Sequence, residues 1–382
     1  MMTSTNPLFP LIVYLIAFLS AYLINLKVKL NTAPGRFETI DGLRGFLALG
    51  VFIHHSCVWQ KYSQTGLWEG PSTYLMIHFG QSCVIFFFMI TSFLFVSKLL
   101  ASKNTDFNWR AFFISRIFRL VPMYYTSLLI IILFILIKSH WNIHVSGDVF
   151  FKSIVNWGMF TIYKTPVIND YWVVLINAGV EWSLPYEWLF YFSLPIIAIF
   201  ILKTKPKIIY GLISLFFIVF FCVFHEVVPY YLYAFIGGGI APFLLKYTTL
   251  AQKVKNIYAD IIILICLVLI IQFETAKNIY CIGITTLAFT LIALGNSLFG
   301  VLKNKQMKFL GDICYTTYLL HGLILFSVFD LIIGMDVSKG FSATTYCIII
   351  FCTTPFVVLI SLIGFKFVEK PFMDLAKKIN RS

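Results

Sequence analysis

Charge is scarce in this sequence. Only 12% of its 382 residues are Asp, Glu, Lys or Arg, about half the usual share of a soluble domain. That is too little to cover a water-facing globular surface. Acids are scarcer than bases, 16 against 29. Gly/Ser linkers and low-complexity tracts are absent, so nothing marks a separate soluble domain. The eight cysteines are scattered and none forms a C-x-x-C pair. This excludes a disulfide framework and a thiolate metal site, and the cysteines read as small buried hydrophobes. What fills the chain is apolar: 60% hydrophobic residues, 41 of them Phe, with a mean hydropathy of +0.89.

Runs of about 17–25 apolar residues are long enough to cross a bilayer as helices. They fall near 9–26, 42–60, 74–97, 117–138, 186–203, 207–224, 229–246, 257–272, 278–297, 312–333 and 343–367. The expectation is an all-α integral membrane protein with about eleven transmembrane helices in one bundle. The first run has no basic residue ahead of it and no small-residue cleavage site, so it reads as an anchor rather than a signal peptide.

The basic residues set the orientation. Alternate segments hold Lys27, Lys29, Arg36 and Arg44, then Lys98 to Arg119, Lys203 to Lys207, Lys246 to Lys255, Lys303 to Lys308 and Lys366 to Arg381, together 23 of the 29. The opposite side keeps Lys61, Lys138, Lys152, Lys164, Lys277 and Lys339. The N-terminus is therefore expected outside and the C-terminus inside. The net charge of +13 becomes a topology signal, and no nucleic-acid partner is expected.

Within the second run, Arg44 and His55 lie eleven positions apart. At about 100° per residue this makes three turns plus roughly 20°, so both share one face, about 16 Å apart along the axis. An ionisable pair inside a membrane is costly and marks a functional site. The plain alternatives are a core histidine and a snorkelling arginine at the inner end. His54 is about 100° away and leaves that face. Asp41 lies within roughly 40° of it, placed either to orient Arg44 or to cap the helix. The longest stretch without an apolar run, 139–185, carries Trp141, Trp157, Trp172 and Trp182. It reads equally as an ordered outer cap whose rings stack on sugars and as an interfacial aromatic belt.

Six blocks then line up in order. Ile40-Asp41-Gly42-Leu43-Arg44-Gly45-Phe46 with His55 resembles the signature of the membrane acyltransferase-3 family. Phe86-Phe87-Phe88-Met89-Ile90-Thr91-Ser92-Phe93-Leu94 is similar to its FF-x-x-S-G-F-L motif, and Arg116-Ile117-Phe118-Arg119-Leu120-Val121-Pro122 to its R-x-x-R-x-x-P. Trp182-Ser183-Leu184-Pro185-Tyr186-Glu187 with Phe190-Tyr191 resembles W-S-L-x-x-E-x-x-F-Y. Leu310-Gly311, Tyr315, Tyr318-Leu319 and His321 resemble L-G-x-x-S-Y-x-x-Y-L-x-H, and Glu369-Lys370-Pro371 the terminal E-x-P. Departures are Ser92 for the usual glycine, Cys314 for serine and Trp188 for a second glutamate, which leaves Glu187 as the only acid of its block.

The resemblance implies an O-acyltransferase of the surface-glycan O-acetyltransferase type. It would move acetyl from cytoplasmic acetyl-CoA to an extracytoplasmic carbohydrate, such as lipopolysaccharide O-antigen, in a bacterial inner membrane. Residues 38–372 would form the catalytic membrane domain, 1–37 an added anchor and linker, and 373–382 a basic cytoplasmic tail. No esterase-like domain follows, so the transfer is expected to finish within the membrane domain. Acyl-CoA, a glycan or lipid-linked glycan and membrane lipids are the expected partners, with no metal.

The chemistry needs a base for the hydroxyl proton and stabilisation of the oxyanion. Histidine titrates near neutrality, which suits His55 as base, with Glu187 as its carboxylate partner or as a holder of the acceptor hydroxyl. Arg44, Arg116 and Arg119 are candidates for the phosphates of the donor, since guanidinium forks match phosphate oxygens. Asp41, Trp182, Tyr318 and His321 are candidate supporting or substrate-binding residues. For Tyr318 and His321 the alternative is a polar bond between helices. A rival class is a transporter or flippase of a lipid-linked sugar, which paired helix breaks would favour. Gly237-Gly238-Gly239 reads as one break without a mate.

Overall fold

Apolar runs become helices, and asparagine side chains fix where several of them start. Asn108 Oδ1 accepts from the Ala111 amide at 2.9 Å, Asn256 Oδ1 from Ala259 at 3.0 Å and Asn278 Oδ1 from Tyr280 at 2.9 Å. Each satisfies a first-turn N–H that the helix itself leaves without an acceptor. The computed structural model describes residues 3–28, 37–162 and 167–381. Lys29, Arg36 and Lys164, used above for orientation, lie outside the described residues.

In chain order the elements are α1 (Leu8–Lys27), α2 (Glu38–Thr65), α3 (Tyr74–Ala101), α4 (Trp109–Lys138) and α5 (Gly147–Gly158). Strands β1 (Val167–Ile168) and β2 (Tyr171–Trp172) follow, paired antiparallel with Val167 opposite Trp172. Next come α6 (Val173–Asn177), α7 (Ser183–Ile201), α8 (Ile208–Phe224), α9 (Pro229–Tyr247), α10 (Leu250–Lys253), α11 (Ile257–Ile270) and α12 (Ile279–Ala293). The chain ends with α13 (Lys305–Asp312), α14 (Cys314–Phe326), α15 (Met335–Lys339), α16 (Ala343–Gly364) and α17 (Lys370–Ile379). Short π-helical turns at 327–332 and 365–369 extend α14 and join α16 to α17.

Six helical segments are long and apolar enough to cross a membrane: Leu8–Lys27, Tyr74–Ala101, Trp109–Lys138, Val180–Ile201, Cys314–Ile332 and Ala343–Ile379. The protein is thus an almost wholly helical integral membrane protein. α2 is not among the six, although most of its residues are buried. A helix enclosed by other helices needs small residues for close approach more than greasy ones for lipid.

The chain divides into two compact units, Met1–Leu94 with Pro229–Leu362, and Phe95–Val228 with Ile363–Ser382. In the first unit α2 is central and packs against α1, α12, α13, α14 and α15. α1 presents Leu8, Leu11, Leu15, Leu19, Leu23 and Leu26 outward and buries Phe9, Val13, Ala17 and Ala21. Its Tyr14 hydroxyl donates to the Phe46 carbonyl at 3.0 Å while the two rings stack 4.4 Å apart. Near the C-terminal end of α2, Trp59, Phe329 and Tyr346 stack in series, and Tyr346 Oη donates to the Ser56 carbonyl at 2.9 Å. The glycine triplet at 237–239 is not a break. α9 runs through it unbroken, because Gly237 and Gly238 let the Met89 backbone of α3 and Thr286 of α12 come so close that a Cβ would overlap them.

In the second unit α4 starts at Trp109, two turns before the apolar run at 117, so Arg110, Arg116 and Arg119 are helical. α7 packs against α8, with Phe192 and Phe217 stacked 3.9 Å apart. Described residues after α4 are tied to it and to one another by hydrogen bonds. Tyr124 Oη donates to the Trp157 carbonyl at 2.5 Å and Tyr125 Oη to the Gly158 carbonyl at 2.8 Å, fastening α5 to α4. Asn169 bridges the His144 amide (2.7 Å) and the Asn142 carbonyl (2.9 Å). His140, Trp141, Phe160, Thr161, Asn169, Asp170 and Ala178 all take left-handed backbone conformations here. Such conformations persist only where surrounding contacts enforce them.

Candidate functional site

The face of α2 predicted to carry chemistry meets α14. His55 Nδ1 lies 2.9 Å from His321 Nε2, and the two rings are 5.0 Å apart with planes 26° from parallel. His321 is fully buried, and its Nδ1 lies 3.0 Å from the Thr317 carbonyl one turn back. Phe52 meets the His321 ring edge-on at 6.5 Å, while Tyr318 lies 6.2 Å from His321 and from Phe87. Two imidazoles therefore sit among aromatic rings, linked through one nitrogen each. His54 points away, as its angular offset requires: its Nδ1 meets the Met76 carbonyl at 2.7 Å and its ring packs against Gly80. It joins α2 to α3.

At the other end of α2, backbone approaches backbone. A Cβ on Gly42 would overlap Leu302, and one on Gly311 would overlap the Asp41 carbonyl. At Gly45 it would lie 2.5 Å from the Met307 carbonyl oxygen and 2.7 Å from the Gly311 amide. The glycines of the first and fifth sequence blocks thus seat α2 and α13 together, with half-buried Arg44 between Gly42 and Gly45. Thr39 Oγ1 donates to the Ile292 carbonyl at 2.9 Å. Lys308 bonds Glu38 at 3.0 Å, and that bond holds the Glu38 carboxyl below the usual carboxylate range. The helix begins at Glu38 with Phe37 in the capping position, so Asp41 lies in the first turn and does not cap it. The capping alternative rested on a helix start placed one turn late.

The second unit holds its own polar cluster. Tyr191 Oη donates to Glu187 Oε1 at 2.5 Å, one turn along α7, and also hydrogen-bonds Arg116. The Arg116 guanidinium lies 4.9 Å from the centre of the Phe95 ring, and its Nη2 donates to Ser115 Oγ at 3.0 Å. Arg119 pairs with Glu369 at 2.9 Å, where the carboxylate is fully buried, and its Nη1 lies 3.0 Å from Met373 Sδ. The R-x-x-R and E-x-P blocks are therefore joined by an ion pair. Trp182 stands edge-on to Tyr186 at 6.3 Å, and Tyr186 Oη donates to the Glu226 carbonyl at 2.9 Å. Of the other tryptophans between α4 and α7, Trp157 is buried, while Trp141 and Trp172 are exposed.

Of the residues singled out from sequence, the structure brings His55, His321 and Tyr318 together. It places Arg116, Arg119 and Glu187 in the second unit, with Tyr191 and Glu369 as partners. Glu187 was read as a partner of the His55 imidazole or as a holder of the acceptor hydroxyl; it accepts from Tyr191, and His55 Nδ1 meets His321. Tyr191 carried no assigned role, yet its i, i+4 spacing to Glu187 was a legible signal, whereas His321 meets the backbone carbonyl of Thr317, which no residue type announces.

A family model described as an acyltransferase domain, that of acyltransferase-3, matches residues 37–364, from the start of α2 to the end of α16. No curated protein and no solved structure matches the chain.

Proposed function

Because the chain belongs to the acyltransferase-3 family and so has an acyl-transfer role, we propose that it moves an acetyl group from cytoplasmic acetyl-CoA to a carbohydrate hydroxyl outside the membrane. The observation that carries this reading is His55. It sits on the central, family-matched helix with one ring nitrogen engaged by His321. The other nitrogen is the base. It takes the hydroxyl proton as the sugar oxygen attacks the thioester carbonyl, and returns that proton to the departing CoA thiolate. A positioned base of this kind contributes about 10²–10⁴-fold in rate.

Arg44, at the inner end of the same helix, is assigned to the donor's phosphates, and Asp41 orients it. Arg116 is a second phosphate contact. Arg119 has its charge committed to Glu369, which leaves it the weakest of the three arginines for that role. Glu187 and Trp182 are assigned to the acceptor, along with the exposed rings of Trp141 and Trp172. The bundle has about eleven spans, with the N-terminus outside and the C-terminus inside a bacterial inner membrane. The acceptor is lipopolysaccharide O-antigen or a related surface polysaccharide. A flippase would be favoured by paired helix breaks, and the glycine triplet read as a lone break lies within the continuous α9.

The test is the acetyl content of the host's surface glycan, read by mass spectrometry in wild type, a deletion strain and a strain carrying His55→Ala. The acetyl increment is expected in wild type only. Unchanged acetylation with altered glycan amount in the deletion strain would instead mean transport.

A further inference from the structure

The hydrogen-bond directions around His321 decide which nitrogen of His55 is basic. The Thr317 carbonyl can only accept, so the ring nitrogen 3.0 Å from it, His321 Nδ1, carries a hydrogen. A neutral imidazole has one N–H, so His321 Nε2 then presents a lone pair. That lone pair meets His55 Nδ1 at 2.9 Å, and two lone pairs cannot face each other at that distance. His55 Nδ1 is therefore the donor, and its Nε2 is left bare. The reverse polarity would need a cationic His321, fully buried and lined by Phe52 and Tyr318. That environment penalises an unpaired charge.

We propose that His321 is a positioning residue that holds His55 as the Nδ1–H tautomer, with the α14 backbone at Thr317 setting the direction of the chain. This rests on His55 being the base of acyl transfer and assigns the reacting atom, Nε2. When Nε2 takes the acceptor proton, His55 becomes the imidazolium and its Nδ1–H keeps donating to the His321 Nε2 lone pair, so the charge is stabilised with no proton passing to His321. An imidazole thus holds the place that a carboxylate fills in a serine-protease triad, where a wrong tautomer costs about 10⁴-fold. The neutral partner avoids an added buried charge.

The experiment is solid-state NMR of ¹⁵N-histidine-labelled protein in bilayers, with signals assigned by their loss in His55→Gln and His321→Gln. Protonated and bare ring nitrogens differ widely in shift. Both histidines are expected to be neutral, with Nδ1 protonated and Nε2 bare. In His321→Ala the His55 signals should split between tautomers, and kcat should fall about 10²-fold with KM for acetyl-CoA unchanged. His321→Gln, whose amide oxygen can accept from His55 Nδ1, should restore one tautomer and much of kcat. A His55 protonated at Nε2, a doubly protonated His321, or wild-type kcat in His321→Ala would overturn the proposal. The spectra decide the tautomers whether or not acyl groups move. Failure of the acyl-transfer reading would appear separately, as an inert wild type with these same spectra.

Discussion

At the scale of single residues, two arginines three positions apart have different fates. Arg116 lies over an aromatic ring and meets Tyr191, whereas Arg119 is tied to a buried carboxylate. Removing one member of a fully buried ion pair costs about 3–5 kcal/mol. The loss in Glu369→Gln should be somewhat smaller, because 13% of the Arg119 side chain stays exposed. Thermal unfolding in detergent should show this drop, and Arg119→Met combined with Glu369→Met should recover most of it. The double variant also separates two roles for Arg119: an unchanged KM for acetyl-CoA makes it structural, and a raised KM makes it a donor contact. The sequence showed which residue types were costly enough to need a reason. It could not show their partners, since Arg119 and Glu369 are 250 positions apart and His55 and His321 are 266 apart.

At the scale of elements, the apolar runs were legible because lipid imposes a simple demand on length and composition. Helix starts were less so. α2 and α4 begin one and two turns before their apolar runs, since Glu38 and Asp41 in the one and Arg110, Ser115 and Arg116 in the other interrupt the apolar pattern there. The glycines were misread at 237–239 for a related reason: in lipid a glycine in a helix more often lets backbones touch than lets a helix break. Gly45→Ala should therefore lower the unfolding temperature, at about 1–3 kcal/mol for overpacking, as its Cβ would press on Met307, Leu310 and Gly311. Gly283→Ala, with nothing within 4 Å of the added carbon, should leave it unchanged or raised. Equal losses in both would mean that the α2–α13 seam is not close-packed.

At the scale of the molecule, the sparse charge proves to be placed rather than merely scarce. The lysines and arginines are expected to mark orientation, while buried carboxylates among the described residues, Glu369 and Glu181, are bonded to Arg119 and Asn177. Alkaline phosphatase fused near residue 68 should be active outside the membrane, and the same reporter near residue 104 should be silent. The opposite pattern would invert the topology. The acyl-transfer role itself is tested most directly in sealed, oriented vesicles. Labelled acetyl-CoA is supplied on the cytoplasmic side, and label on carbohydrate at the far side is counted for wild type and a correctly folded His55→Ala. Labelled carbohydrate from wild type, and about 10²-fold less or none from the variant, is the expected result. Labelling by His55→Ala at the wild-type rate would contradict the assignment of His55 as the base.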